Sequence, residues 1–221
     1  MPSDLQVDNI KDGSATKTLA TLSSSAVTLH SDVTFPTGHV IKTYQNVFKG
    51  EQSLTNSGGN HTTAVPDSDY VVVGTGASGA NGSPLSITCD APVSSSSKYL
   101  IIATINSSNR NVGFVGFKYF YNNSGVGSDT VLPDASNATG GLQTAGHFGA
   151  SHNSGGGSDY STKTSANMYL WSPSSSLAQT IIVKVATYTA DDIYINRSVD
   201  DGNYSYVFKA TSTLTIQEIA G

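Results

Sequence analysis

Charged residues are scarce in this sequence of 221 residues, and their scarcity excludes several classes of protein. Lys, Arg, Asp and Glu make up 12% of the residues, about half of the ~25% that is typical of globular domains. The formal net charge is −5 and the basic residues form no cluster, whereas a protein that binds nucleic acid presents a basic face. We therefore expect no nucleic-acid partner.

Cysteines, long apolar runs and good helix formers are also rare. Cys89 is the only cysteine, which excludes disulfides within the chain and predicts a small buried apolar residue. No apolar run approaches the ~20 residues of a membrane span, and the first residues lack the basic and apolar regions of a secretory signal. We expect no membrane insertion, and release by lysis if the protein acts outside a cell.

The residues that are abundant favour strands and turns. Tyr and Thr favour strands, whereas Gly, Asn and Ser favour the turns between them, and a hydrophobic content of 37% allows a lean core. The pattern predicts nine strands, at residues 39–48, 70–74, 85–90, 98–107, 111–122, 167–172, 179–189, 192–197 and 211–219. Short strands separated by such turns are typical of an antiparallel β-sandwich or jelly roll. The predicted fold class is therefore all-β, with an extended N-terminal arm.

Residues 1–34 are predicted to form this arm, and residues 35–221 the head domain. The arm is rich in Ser and Thr and has too little apolar surface to fold alone. It would become ordered by adding strands to a neighbour or by packing at a three-fold axis; the alternative is a floppy terminus. The apolar residues that would anchor it are Leu5, Val7, Ile10, Leu22, Val27 and Leu29.

Residues 122–160 are rich in Gly, Ser and Asn and are predicted to be a long loop. Such loops on a β-scaffold often carry recognition. The candidates for surface recognition, in this loop and in a later turn, are His147, His152, Asp159, Tyr160, Tyr204 and Tyr206. The tyrosines, with Trp171, either stack on saccharides or pack in the core or between subunits. In strand 111–122, whose aromatic residues lie on both faces, one face should meet the core and the other a partner or a second layer.

No catalytic or metal site is predicted, and no cofactor. The serines lack a nucleophile-elbow spacing, paired carboxylates in a groove are not indicated, and the histidines lack a tight ligand spacing. The Asp-rich turns at residues 191–192 and 200–201 leave calcium binding open, although the spacing of a calcium loop is absent. The sequence favours a protein that is not an enzyme.

Segments at both ends of the chain resemble one group of proteins. Residues 4–12 resemble the opening of marine-phage and cyanophage fibre-like proteins, and V-T-F-P-T-G-H-V-I at residues 33–41 is similar to the joint before their head. Near the C-terminus, Y-I-N-R-S at 194–198 and L-T-I-Q-E-I-A at 214–220 resemble their closing strands.

This resemblance implies a virion structural protein with a jelly-roll head. The expected role is a tail-fibre or receptor-binding component; the alternative is a capsid decoration or head-fibre protein anchored by its arm. A lean core and an arm that cannot fold alone both favour burial between copies, so we expect a homotrimer. Its other partners would be further virion proteins and a host surface glycan or protein. Assembly would take place in the host cytoplasm.

Overall fold

The predicted all-β class is confirmed by the structure, a computed structural model. It describes residues 9–11, 18–22, 27–29, 36–57, 67–75, 83–109, 113–124, 126–132, 148–152, 162–187, 191–199 and 209–221. Its strands are β1 (Asn9–Lys11), β2 (Thr18–Leu22), β3 (Val27–Leu29), β4 (Val40–Phe48), β5 (Gln52–Ser57), β6 (Val71–Val72), β7 (Ser86–Cys89), β8 (Lys98–Asn109), β9 (Gly113–Asn123), β10 (Val126–Val131), β11 (Phe148–His152), β12 (Lys163–Trp171), β13 (Gln179–Thr187), β14 (Asp191–Ile195) and β15 (Ser212–Ile219). The only helical element among these residues is a 3-10 turn at Asp67–Asp69, and none of their helices could cross a membrane.

The chain divides into two units, residues 1–39 and residues 40–221. In the first unit, β1, β2 and β3 form an antiparallel sheet in that order. Four of the predicted anchoring residues lie in these strands: Ile10, Leu22, Val27 and Leu29. The other two, Leu5 and Val7, lie outside the described residues. The predicted arm thus carries three strands that pair with one another, whereas its anchoring role stays a prediction.

The second unit contains two six-stranded antiparallel sheets. Sheet I has β13 beside β9 on one side and β7 and β6 on the other, with β10 and β11 on the far side of β9. Sheet II has the order β4-β15-β8-β14-β5, with β12 on the other side of β8. The two dense apolar segments that begin at Tyr99 and Ile181 are central strands of sheets II and I, as central strands rich in Ile and Val should be.

The core lies between the two sheets. Along β8 and β15 every second side chain is buried, because side chains of a strand point alternately to opposite faces. Tyr99, Ile101 and Ile216 from sheet II pack in one cluster with Phe117 and Val183 from sheet I. All nine predicted strands are present, within a few residues of their predicted ends.

The prediction of one loop over residues 122–160 is wrong. β10 and β11 lie within it, and both pair with β9. Gly149 is one of the glycines in this segment, and a Cβ there would lie 2.5 Å from the Val115 carbonyl oxygen. The glycine is therefore required by the close approach of two strands. β11 forms by pairing with a strand that is distant in sequence, so the local sequence does not indicate it.

Two buried amide side chains join the ends of the strands. Asn196, which follows β14, has a φ of +61° and donates from Nδ2 to the carbonyl oxygens of Phe48 and Gly50, both at 2.8 Å. Its Oδ1 accepts from the Ser212 hydroxyl at 2.6 Å. One residue thus connects the start of β15, the end of β4 and the turn after it.

Gln52 does the same between β5 and the segment around β6. Its Oε1 accepts from the Gly74 backbone N–H at 2.8 Å, and its Nε2 donates to the carbonyl oxygens of Val72 and Thr75 at 3.1 and 2.6 Å. Because the side chain is fully buried, these three bonds replace all contact with water.

Candidate binding face on sheet II

The outer surface of sheet II carries the largest exposed apolar side chains of its strands. Along β12, Ser165 and Trp171 are buried, whereas the alternate residues Ala166, Met168 and Leu170 are exposed. Met168 keeps 69% of its surface exposed and Leu170 keeps 53%. Met and Leu are among the residues that are most often buried in folded proteins, so these exposed fractions are high for side chains of their type.

Strand register extends this surface across four strands. Three rows run from β12 through β8 and β15 to β4: Leu170–Leu100–Gln217–Thr43, Met168–Ile102–Thr215–Gln45 and Ala166–Thr104–Thr213–Val47. We call these twelve side chains the sheet II face. Its half on β12 and β8 is mainly aliphatic, and its half on β15 and β4 is mainly Thr and Gln.

The sheet II face contains no ionisable side chain. Lys98 lies beyond the first row, opposite Ile219, and no ion pair found among the described residues involves the twelve side chains. Within the face, the Gln45 amide donates to the Thr215 hydroxyl at 3.3 Å. Such a surface offers aliphatic contact and neutral hydrogen bonds to a partner, which makes it a candidate binding surface.

Aromatic residues on the opposite side of β12 hold the strand in place. The Trp171 ring lies 4.8 Å from that of Tyr121 and 5.9 Å from that of Tyr99, centroid to centroid. Tyr169 lies 6.1 Å from Tyr119. These spacings are in the range of favourable aromatic pairs. Trp171 is therefore a core residue and not an exposed platform for saccharides, and Met168 and Leu170 lie on the opposite side of the same strand.

The outer surface of sheet I is built differently, because the chain covers it. Phe120 is buried against Tyr70, Ile182 and Ala186, so its face of β9 meets a second layer made by the chain itself. Lys184 lies 4.3 Å from the centre of the Phe120 ring, a cation–π distance.

Ion pairs complete this covering layer. Lys118 and Lys184 are directly opposite on neighbouring strands, where like charges repel; Lys118 pairs with Asp67 at 2.8 Å and Lys184 with Asp129 at 2.7 Å. Burial acts to raise the pKa of the Asp129 carboxyl, but hydrogen bonds from Lys184 and Asn122 outweigh it, so the pKa lies below its usual value.

Titratable residues also meet where β4 and β7 approach, and their side chains connect the two strands. Asp90 accepts from the Lys42 ammonium at 3.0 Å and from the Tyr44 hydroxyl at 3.3 Å, and the Lys42 hydrogen bond holds its pKa below the usual value. Burial raises the pKa of the neighbouring Cys89 thiol to about 12. Cys89 is fully buried, so the prediction of a small buried apolar residue is confirmed.

Of the predicted recognition residues, the structure describes His152 alone. His152 is the last residue of β11 and pairs with Gly113, so its placement in a loop is wrong. The remaining predicted residues, His147, Asp159, Tyr160, Tyr204 and Tyr206, lie outside the described residues. Their recognition role stays a prediction.

Two further features bear on ligand binding. Among the residues that the structure describes, no group of three His, Cys, Asp or Glu side chains is placed to hold a metal ion. A shallow cavity of about 220 Å³ is lined by Pro92, Pro173 and five serines. It is smaller than the ~300 Å³ at which small-molecule sites begin, so the sheet II face is the better candidate.

The sequence did contain a signal for this face. The segment S-A-N-M-Y-L-W at residues 165–171 has large apolar residues on both faces of a strand, which means that one apolar set must stay outside the core.

No protein-family model matches the sequence, and a search of curated proteins finds no match.

Proposed function

We propose that the chain is a phage virion structural protein, a tail-fibre or receptor-binding component whose β-sandwich head is displayed as a homotrimer. The observation that supports this most is where the resembling segments lie. Residues 33–41 run into β4 and residues 214–220 include most of β15, and β4 and β15 are paired from end to end in sheet II. The end of the first segment, Val40 and Ile41, and the second segment thus lie in neighbouring strands although they are more than 170 residues apart in sequence.

The chemistry of the head suits display outside a cell. A surface rich in hydroxyl and amide groups and poor in charge makes neutral hydrogen bonds with a glycan or protein, and these are little affected by salt, unlike contacts between exposed charges. The N-terminal unit, residues 1–39, would attach the head to the particle. Assembly in the host cytoplasm and release by lysis follow from this role.

A capsid decoration or head-fibre protein is the second candidate. The observation that favours it is that a small N-terminal unit of 39 residues precedes the head directly. In this alternative the same N-terminal unit would dock on the capsid shell.

Quantifying the protein in purified virus particles tests the proposal and separates its two forms. We expect the chain to copurify with particles at a few to some tens of copies, which indicates a tail position. Hundreds of copies would indicate capsid decoration instead. Quantitative mass spectrometry against the major capsid protein gives the number, and labelled antibody in electron micrographs gives the position. Absence from particles that contain all other structural proteins would contradict both forms.

The trimer is tested separately on the purified protein. We expect light scattering to give a mass three times the 22.9 kDa of the chain, because the lean core of one copy leaves apolar surface to be buried between copies. A monodisperse monomer at concentrations up to the micromolar range would contradict the trimer and leave the virion assignment standing.

A further inference from the structure

We propose that the sheet II face is the contact between copies of this chain, with the aliphatic half on β12 and β8 nearest the symmetry axis. This inference rests on the homotrimer proposed above and names the surface that forms it. Three properties of the face carry the argument: its unburied apolar area, its lack of charge and its size.

Met168 and Leu170 are the most exposed large apolar side chains of the face. In the register of β12 with β8 they lie beside Ile102 and Leu100, so the four side chains form one continuous aliphatic strip. Burying side chains of this kind makes a favourable contribution relative to leaving them in water. The chain leaves this contribution unused, although it covers the outer aromatic residue of sheet I, Phe120, completely enough that 2% of its surface is exposed.

The lack of charge on the face favours a second copy of the chain as its partner. Each chain carries a formal net charge of −5, so two copies repel one another unless they meet where no charged groups oppose each other. The twelve side chains of the sheet II face are all neutral. On sheet I, by contrast, approach of a second copy would bring its Lys118–Asp67 and Lys184–Asp129 pairs out of water, at a desolvation cost.

The size of the face agrees with a contact between proteins. Four strands about 4.8 Å apart, with three rows of residues about 6.8 Å apart, cover a flat area of roughly 400 Å². A standard interface uses about 800 Å² of accessible surface from each partner. A side-chain surface is rougher than its flat projection, so the face is large enough to form the main part of such a contact.

Engineered cysteines test this contact, because the chain has no exposed thiol of its own. Leu170→Cys places a thiol on the face, and Leu177→Cys is the matched control, since Leu177 is exposed to nearly the same extent, 57% against 53%, but lies in the turn after β12. Cys89 is fully buried with a pKa raised to about 12, so it stays an unreactive thiol near pH 8. We expect Leu170→Cys to form a disulfide-linked dimer under mild oxidation, several times faster than Leu177→Cys.

Three outcomes are distinguishable. Crosslinking through residue 170 at a rate that does not change as the trimer is diluted supports the inference, because the two thiols belong to one assembly. A wild-type trimer in which residues 170 and 177 crosslink equally slowly overturns it and leaves the proposed function intact. A wild-type monomer by light scattering overturns both the trimer and the contact; the face would then serve a different virion protein.

A charge substitution gives a second readout. Met168→Glu would place three carboxylates near the axis of the trimer, so we expect association at least about tenfold weaker, with the far-UV circular dichroism of the folded chain retained because the site is exposed. Leu177→Glu is the control and should assemble as the wild type does. Unchanged assembly of Met168→Glu would contradict the inference.

Discussion

Replacing Asn196 by Ala should lower the free energy of unfolding by about 4 kcal/mol, because several losses occur at one buried position. The carbonyl oxygens of Phe48 and Gly50 and the Ser212 hydroxyl each lose a hydrogen-bond partner, and a buried polar group left unpaired costs about 1–3 kcal/mol. Ala is also less tolerant than Asn of the left-handed φ of +61°, by about 1 kcal/mol. For a chain of this length the midpoint of thermal unfolding should fall by about 12 °C.

Two further variants separate the causes of this loss. Asn196→Gly removes the same hydrogen bonds but accepts the left-handed backbone, so it should lose about 1 kcal/mol less than Asn196→Ala. Ser124 has a similar φ of +54° but is exposed, so Ser124→Ala should lose less than about 1 kcal/mol. Urea unfolding at one fixed chain concentration measures all three, since association would otherwise alter apparent stability. Equal losses at positions 196 and 124 would contradict the role of the Asn196 side chain in connecting β15 to β4.

The hydrogen bonds of Asn196 give a physical reason for the Y-I-N-R-S segment at residues 194–198. From the sequence alone, this segment was only a resemblance. The Arg197 guanidinium lies 5.1 Å from the centre of the Tyr194 ring, and the Ser108 hydroxyl donates to the Arg197 carbonyl oxygen at 2.8 Å. The segment therefore fixes the corner where β14 ends and β15 begins. The motif is explained by contacts at one corner of the fold. The residue types in it do not show, without the structure, which other residues of the chain they contact.

The fold class was predictable because the strongest strands are encoded locally. The segments that begin at Tyr99 and Ile181 are dense in β-branched and aromatic residues, and Gly, Asn and Ser mark the turns between strands. β11 was not predictable, because its pairing is supplied by β9, more than twenty residues away. β10 begins three residues after β9 ends and forms a hairpin with it, so the sequence prediction missed a local signal there. A glycine that permits close strand approach, such as Gly149, has the same local appearance as one in a loop.

The candidate face was predictable only in part. Residues 165–171 show that β12 has apolar residues on both sides, but not which side faces the core. The structure places the larger aromatic side chains, Tyr169 and Trp171, inward and Met168 and Leu170 outward. Leu100 and Ile102 join them only because β8 pairs with β12 in that register, and register between strands about 65 residues apart depends on the whole sheet.

Replacing Gln52 by Glu should cause the second large loss of stability, and one that depends on pH. The carboxylate would be isosteric with the amide, but one of its oxygens would face the carbonyl oxygens of Val72 and Thr75, which accept from Nε2 in the wild type. No cation pairs with this fully buried position in the described part of the chain. At pH 7 we expect a loss of about 4 kcal/mol or more, since an unpaired buried charge is strongly unfavourable.

The direction of the pH dependence follows from the folded-state pKa of the new carboxyl group. Burial and the two facing carbonyl oxygens would raise it above the unfolded value of about 4.3, so the variant binds more protons when folded. Its stability should therefore be greatest relative to wild type below about pH 4.3 and should fall as pH rises through the folded-state pKa. Gln52→Leu is the control, because it leaves the same backbone groups unpaired without adding a charge, and its loss should not change with pH. Urea unfolding from pH 4 to pH 8 compares the variants, and parallel profiles for Gln52→Glu and Gln52→Leu would show that Gln52 does not hold the β6 segment through its amide.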